Sequence, residues 1–160
     1  MKRNPSRAQA PDGAFEKHRA TNLRRLLVGA TRALNRRITS ELHRRGYHDT
    51  RPGHAALLAN LDFAGNSVTE VAERAQISKQ AMARLAVELE EFGIISRTQD
   101  GDDKRALMLQ FTRRGRDLIR ATVAIVDEIE ADLADEIGDR SMATLKRSLL
   151  SVTHLDDSPS

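Results

Sequence analysis

A chain of 160 residues has the length of one domain and is long enough to bury roughly two thirds of its surface. The absence of cysteine excludes disulfides, thiolate zinc sites and cysteine-based redox sensing, and 3% aromatic residues favour aliphatic helix packing over a sandwich or barrel. The net charge of +3 conceals a gradient: residues 1–65 hold 13 Lys/Arg against 5 Asp/Glu, residues 66–120 hold 10 against 9, and residues 121–160 hold 3 against 9. A basic N-terminal third favours a nearby polyanion, and the acidic C-terminal third is expected to face away from it. No apolar run approaches the ~20 residues of a membrane span, and no hydrophobic region follows the charged N-terminus as in a signal peptide. The expectation is a cytoplasmic protein without a membrane partner.

In chain order, residues 1–15 carry Pro5, Pro11 and Gly13 among scattered basic residues, which predicts a flexible basic arm. From Glu16 to Arg45 the spacing predicts one long amphipathic helix with Leu23, Leu26, Leu27, Ala30, Leu34, Ile38 and Leu42 as its apolar stripe and Gly46 at its end. A helix of that length needs a partner along it. Tyr47 to Arg51 reads as a polar connector, Pro52 suits a helical first turn, and His54, Leu57, Leu58 and Leu61 form a short stripe.

Ser67-Val-Thr-Glu70 is a capping box, in which the Ser67 hydroxyl accepts from the Glu70 amide and the Glu70 carboxylate reaches back. Val68, Val71, Ala72 and Ala75 then share one face. Ile77 can plug the corner before a second helix that Ser78 caps, the spacing of a helix-turn-helix. In that helix Ala81, Leu85, Leu89 and Phe92 are read as the buried stripe, with Lys79, Gln80, Ala83, Arg84 and Val87 exposed. Gln80 suits the bidentate edge of adenine, while Arg84 or Lys79 suits guanine or phosphate. Gly93 supplies a left-handed end, Ile94 and Ile95 open a strand with Arg97 outward, and Leu107, Leu109 and Phe111 alternate in the returning strand. The turn between them bends at Asp100-Gly101, and Asp103 is expected to hold an arginine while Lys104 or Arg105 reaches the minor groove. Thr112 caps a helix to about Ile137, whose apolar positions run from Leu118 to Ile137. That overhang exceeds what a small winged helix covers, so pairing with another chain is expected. After Gly138, Ser141 to Val152 reads as a last helix with Leu145, Leu149 and Leu150 on one side, and the end frays.

The motifs "VAERA", "ISKQAMARL", "LEEFGII-R", "D-x-x-D-K-R-A" and "L-x-F-T-x-x-G-R-x-L" together resemble the winged-helix core of the MarR (multiple antibiotic resistance regulator) family, over about a third of the chain. Gly101 stands where that family often has proline, which implies a looser wing. The resemblance implies a mainly α fold: a winged helix-turn-helix with long N- and C-terminal dimerisation helices and a small antiparallel wing sheet. The implied division is residues 1–15 (arm), 16–52 (N-terminal helix and connector), 53–111 (DNA-binding lobe), 112–155 (dimerisation helices) and 156–160 (tail). It implies a homodimeric transcriptional regulator, a repressor by expectation, that binds an inverted-repeat operator in double-stranded DNA through Ser78, Lys79, Gln80, Ala83, Arg84, Arg97, Asp103, Lys104 and Arg105. It also implies a small-molecule pocket between the dimerisation helices and the lobe, and by position alone Tyr47, Arg51 or His54 would serve a phenolic or carboxylate effector there. His18, His43, His48 and His54 lack the three- or four-residue steps of a helical metal pair, and no nucleophile–base pair or phosphate-binding glycine loop stands out. No cofactor and no enzymatic activity are expected. The alternatives are a winged-helix protein-interaction module, an architectural DNA binder without an effector, and a metal-responsive repressor.

Overall fold

The computed structural model describes residues 10–99 and 107–153. Two helices, α1 (Ala10–Thr21) and α2 (Leu23–Arg44), precede a short 3-10 turn at Pro52–His54 and the single turn α3 (Ala55–Leu58). Strand β1 (Asn66–Ser67) leads into α4 (Val68–Arg74) and α5 (Lys79–Glu91), then β2 (Ile95–Gln99) and β3 (Leu107–Phe111). Helices α6 (Arg113–Ile137) and α7 (Asp139–Thr153) follow. The sheet is antiparallel in the order β1-β3-β2, with Ile95 opposite Phe111 and Gln99 opposite Leu107.

The local signals act as their chemistry requires. Ser67 Oγ accepts from the Glu70 amide at 3.2 Å, and the Glu70 carboxylate accepts from the Ser67 amide at 2.7 Å. Ser78 caps α5 through the Ala81 amide at 3.1 Å, and Thr112 caps α6 through the Gly115 amide at 3.1 Å. Between α4 and α5 the chain turns at Gln76, whose φ of +53° is left-handed, and Ile77 packs against the core as the corner plug. Gly93 closes α5 with φ +66°.

The core joins α4, α5 and the sheet to the start of α6. Leu57, Val71, Met82, Ala86, Leu89, Leu109, Leu118 and Ile125 are fully buried within it. Gly115 lets α6 cross the end of α5 closely: a Cβ there would lie 2.0 Å from the Ile94 carbonyl oxygen. The same carbonyl accepts from the Thr112 amide at 3.1 Å, so the junction is bonded as well as packed. Farther along, α2 packs on α6, with Arg45 Nη2 donating to both carboxylate oxygens of Glu128 at 2.6 and 2.7 Å and Arg37 paired with Asp132. Helix α7 returns along α6, where Lys146 meets Glu130 at 2.6 Å.

Several expectations are corrected. The single helix from Glu16 is two helices, because Asn22 adopts an extended conformation and serves both sides of the break: its Nδ2 donates to the Arg19 carbonyl at 2.9 Å and its Oδ1 accepts from the Arg25 amide at 3.0 Å. The predicted arm overlaps a helix that already starts at Ala10. On α5 the deepest row is Met82, Ala86 and Leu89, with Ala81, Leu85 and Phe92 half-buried beside it, and Ala83 is half-buried rather than exposed. Periodicity fixes the apolar side of a helix but not which of two neighbouring rows points at the core. On α6 Ile125 is buried, whereas Val123 is 56% exposed. Helix α7 begins at Asp139, two residues before the expected start.

Candidate nucleic-acid interface

Helix α5 is held on three sides, and the fourth is open. Its core row packs inward. On one flank Glu90 accepts from the Arg97 amide at 3.1 Å and from Arg97 Nε at 2.6 Å, which ties the base of the wing to the helix. Arg97 holds the Glu90 carboxyl below the usual carboxylate range. On the other flank Glu88 meets the connector. The Arg51 amide donates to His54 Nδ1 at 3.2 Å, so the neutral ring carries its proton on Nε2 and donates it to Glu88 Oε2 at 2.9 Å. The Arg51 guanidinium pairs with the same oxygen. His54 is 1% exposed, and both ring nitrogens are satisfied. Hydrogen bonding from His54, then from Arg51, keeps the Glu88 carboxyl below its ordinary range.

What remains outward on α5 is one stripe: Gln80, Arg84, Val87 and Glu91, with Lys79 at the start. Among the described residues none of the Lys79, Gln80 and Arg84 side chains is engaged in an ion pair or hydrogen bond, and Ser78 spends its hydroxyl on the cap. Such a stripe offers an amide, a guanidinium and a methyl pair in succession, the groups that read purine edges and the thymine methyl. Glu91 ends it with a charge that a phosphate would repel. Asp103, Lys104 and Arg105 lie outside the described residues. Arg97, expected outward, is taken up by Glu90 and serves the joint between wing and helix.

The proposed effector residues separate. A cavity of about 440 Å³ lies between α2, the connector, α3 and the middle of α6, walled by Ile38, Leu42, Leu58, Ile119 and Val126 among others. Arg51 is on its rim, whereas Tyr47 and His54 are not in its lining. Tyr47 packs against the core, and its carbonyl accepts from Thr50 Oγ1 at 2.9 Å. A second groove, on the other side of Arg51, runs between His54 and the Arg84–Glu88 side of α5. The residue that sequence reasoning missed is Glu88. An acid on a charged helix carries no local sign that a histidine 34 positions earlier will meet it. Among the described residues no three His, Cys, Asp or Glu side chains converge as metal ligands do, and no helix is long and apolar enough to cross a membrane.

Residues 48–106, from the connector to the end of the wing turn, match the sequence model of the MarR family. That segment is similar to the MarR family. Transcriptional regulator HosA of Escherichia coli O157:H7 is 26% identical over 83 residues, 52% of this chain and 62% of the relative. The match thus spans less than two thirds of that curated relative. Among solved structures, wild-type MarR from E. coli superposes with a TM-score of 0.67 at 20% identity, covering 82% of this chain and 96% of that one. A MarR-family transcriptional regulator from Rhodococcus sp. RHA1 gives 0.65 at 22% identity, covering 91% and 96%. At those identities the superpositions establish the winged-helix fold with its flanking long helices, and the family match covers the same segment that carries the open face of α5.

Proposed function

We propose that the protein is a sequence-specific DNA-binding transcriptional regulator that acts as a homodimer on an inverted repeat. The observation that carries this reading is the outward stripe of α5, left free while its neighbours fix the helix from the other sides. A polar, cationic stripe on a rigidly seated helix-turn-helix supports insertion into the major groove, with Gln80 and Arg84 reading bases and Ser78 and Lys79 near phosphates. Arg97 then acts by fixing the wing, and in this reading Asp103 holds an arginine while Lys104 or Arg105 reaches the minor groove.

Dimerisation is supported by where apolar surface remains. Phe15, Leu23, Leu26, Leu34, Val123, Ile137, Leu145 and Leu150 are each at least 40% exposed and belong to α1, α2, α6 or α7, with Phe63 the one comparably exposed large apolar side chain outside them among the described residues. A monomer in water gains nothing from such an array, and a second copy would bury it. Two lobes so joined would present their α5 helices to successive major grooves about 34 Å apart. A small ligand in the cavity between α2 and α6 would favour one lobe spacing over another and release DNA, which makes repression the expected sign.

Selection of duplexes from a random-sequence pool tests the reading. Recovery of a two-fold repeat bound by two chains per duplex is expected, with affinity falling steeply as salt rises. Arg84→Ala should weaken the selected duplex by about 1–3 kcal/mol, roughly 5- to 150-fold, without changing thermal stability. A monomer in sedimentation, or recovery of no preferred sequence, would remove this function.

A further inference from the structure

Helix α2 has three different sides. Ile38 and Leu42 turn one of them toward the core and α6. Leu23, Leu26 and Leu34 form a second, exposed and apolar, which the proposed dimer would cover. The third carries Arg25, Arg32 and Arg36. At 3.6 residues per turn, steps of seven and four keep these three within about 40° of one another around the helix, and about 120–180° from the exposed leucines. All three are exposed, and among the described residues none of them has an ion-pair or hydrogen-bond partner. Their neighbours Arg37 and Arg44 are neutralised by Asp132 and by Glu41, which is the one acid on α2. Gly29 stands one turn from both Arg25 and Arg32, with nothing inside 4 Å of where its Cβ would be. A glycine costs an exposed helix about 1 kcal/mol relative to alanine, and no contact within the protomer calls for one here. What it leaves is bare backbone in the middle of the arginine row, open to close approach from outside.

A row of free guanidiniums repels itself and gains from a polyanion. The C-terminal third has acids to spare, yet the fold brings none of them to this row. We propose that this side of α2 is a second duplex-binding surface: Arg25, Arg32 and Arg36 hold the phosphate backbone of a DNA segment other than the one on α5, so that one dimer bridges two segments. The row is remote from the lobe. Arg36 adjoins Arg37, whose partner Asp132 stands about 25 Å along α6 from Gly115. Arg25 is farther again, because α2 runs back along α6: Arg45 meets Glu128, and the earlier Arg37 meets the later Asp132. The row also lies on the side of α2 opposite the leucines, so a second copy and a duplex can occupy the helix together. Long side chains without seating hydrogen bonds suit phosphates, and such a contact is independent of sequence. Duplex DNA is the polyanion that the regulator reading puts within reach. Once α5 has bound a site, other parts of the same DNA molecule are held nearby at high effective concentration, and a weak contact suffices. The inference rests on that reading for the first duplex, and not for the second.

The test uses the full chain and two duplexes. A duplex selected by the protein is fixed to beads, the protein is added and the excess washed away, and capture of a second, fluorescent duplex of unrelated sequence is measured. The unaltered protein should capture it, and capture should weaken roughly 40-fold between 50 and 200 mM salt, the loss that three phosphate contacts predict. Arg25→Gln combined with Arg32→Gln and Arg36→Gln should bind the selected duplex within about twofold of the unaltered protein and capture the second about tenfold less well or worse. The same three positions changed to lysine keep the charge and should keep capture. All three are exposed, so neither variant loses packing. Undiminished capture by the glutamine variant would mean that each lobe holds its own duplex, and would overturn the proposal. So would no capture by the unaltered protein at 50 mM salt. Single chains of the glutamine variant in sedimentation would assign the row to the contact between copies and overturn it as well. If no preferred sequence is recovered, the regulator reading fails. Anisotropy of one arbitrary duplex with the three proteins then still decides whether the row holds DNA: binding lost with glutamine and kept with lysine supports it, and equal binding by all three refutes it.

Discussion

Substituting Gly115 by alanine separates close packing from helix propensity, because the two effects oppose each other. In the middle of a helix Gly→Ala ordinarily gains about 1 kcal/mol, which is an upper bound for Gly115 in the first turn of α6. At Gly115 the added Cβ would lie 2.0 Å from the Ile94 carbonyl oxygen, 3.0 Å from its carbon and 3.1 Å from Phe111 Cδ1. The first contact is with backbone, which cannot rotate away, so α6 must move off the end of α5 by about an ångström. That movement loosens the bonds from Thr112 Oγ1 to the Gly93 and Ile94 carbonyls, at 2.6 and 3.1 Å. Overpacking of this kind costs about 1–3 kcal/mol, and contact with backbone belongs at the upper end. The net expectation is a loss of about 2 kcal/mol, or about 4–8 °C in midpoint for a chain of this size. Gly29→Ala is the control. It lies within α2 with nothing inside 4 Å of the added Cβ, so it should be neutral or gain up to about 1 kcal/mol. Thermal unfolding followed by circular dichroism, at one fixed chain concentration, reads both variants. If Gly115→Ala matched Gly29→Ala, the crossing of α6 over Ile94 would not be the contact described here.

Three further outcomes are expected. Ser67→Ala removes an acceptor from the first turn of α4 and should cost about 1 kcal/mol in urea unfolding, whereas Thr69→Ala, exposed in the same turn, should cost far less. The Glu90 carboxyl is held low by Arg97, so its contribution is present above the unfolded value of about 4.3 and is lost as the pH falls through the lower folded value. Glu90→Gln should therefore be less stable than the unaltered protein at pH 7 and close to it at pH 3, and a constant difference at both would refute the assignment. Leu26→Asp combined with Leu150→Asp places charge on two exposed apolar positions of α2 and α7. Sedimentation should then show single chains with unchanged far-ultraviolet dichroism, and persistence of a dimer would move the interface elsewhere.

Where structure was fixed by neighbours a few residues apart, it was legible. The Ser67–Glu70 box, the Ser78 and Thr112 caps, the Gly93 stop and the paired β2 and β3 strands all rest on contacts that local spacing dictates. The break at Asn22 was also local, yet an apolar repeat running through it concealed a residue able to end one helix and begin the next. The Met82 row went unread for another reason: leucine and phenylalanine drew the stripe toward themselves, while the sheet and α4 decided which row fits. The Arg51–His54–Glu88 cluster had no sequence sign at all, because its members meet only when the connector folds over α5. The free stripe of α5 was legible by elimination, since charged residues have few other places to go. Whether Arg97 belonged to it depended on Glu90, seven residues away across a helix-to-strand turn.

In the proposed dimer, helix α6 is the member that makes lobe spacing a mechanical quantity. Its 25 residues at about 1.5 Å each give a rod of about 37 Å with no proline along it. One end is locked into the lobe by Gly115, Leu118 and Ile125, while the other carries the exposed Ile137 and turns into α7 at Gly138 with φ +87°. A rod of this kind bends little, so in the proposed dimer a change in the distance between the two lobes must arise at its ends or from rolling against α2. The cavity lies along that α2–α6 seam, and its wall includes Ile119 and Val126 on one helix and Ile38 and Leu42 on the other. Exposed ion pairs such as Arg45–Glu128 hold the seam only weakly, with each such pair worth about 1 kcal/mol or less. The seam is therefore a weakly held joint between the apolar ends and α5, the helix proposed to face DNA. On the proposed reading, a ligand there would act on α5 through the tilt of α6, without touching the wing.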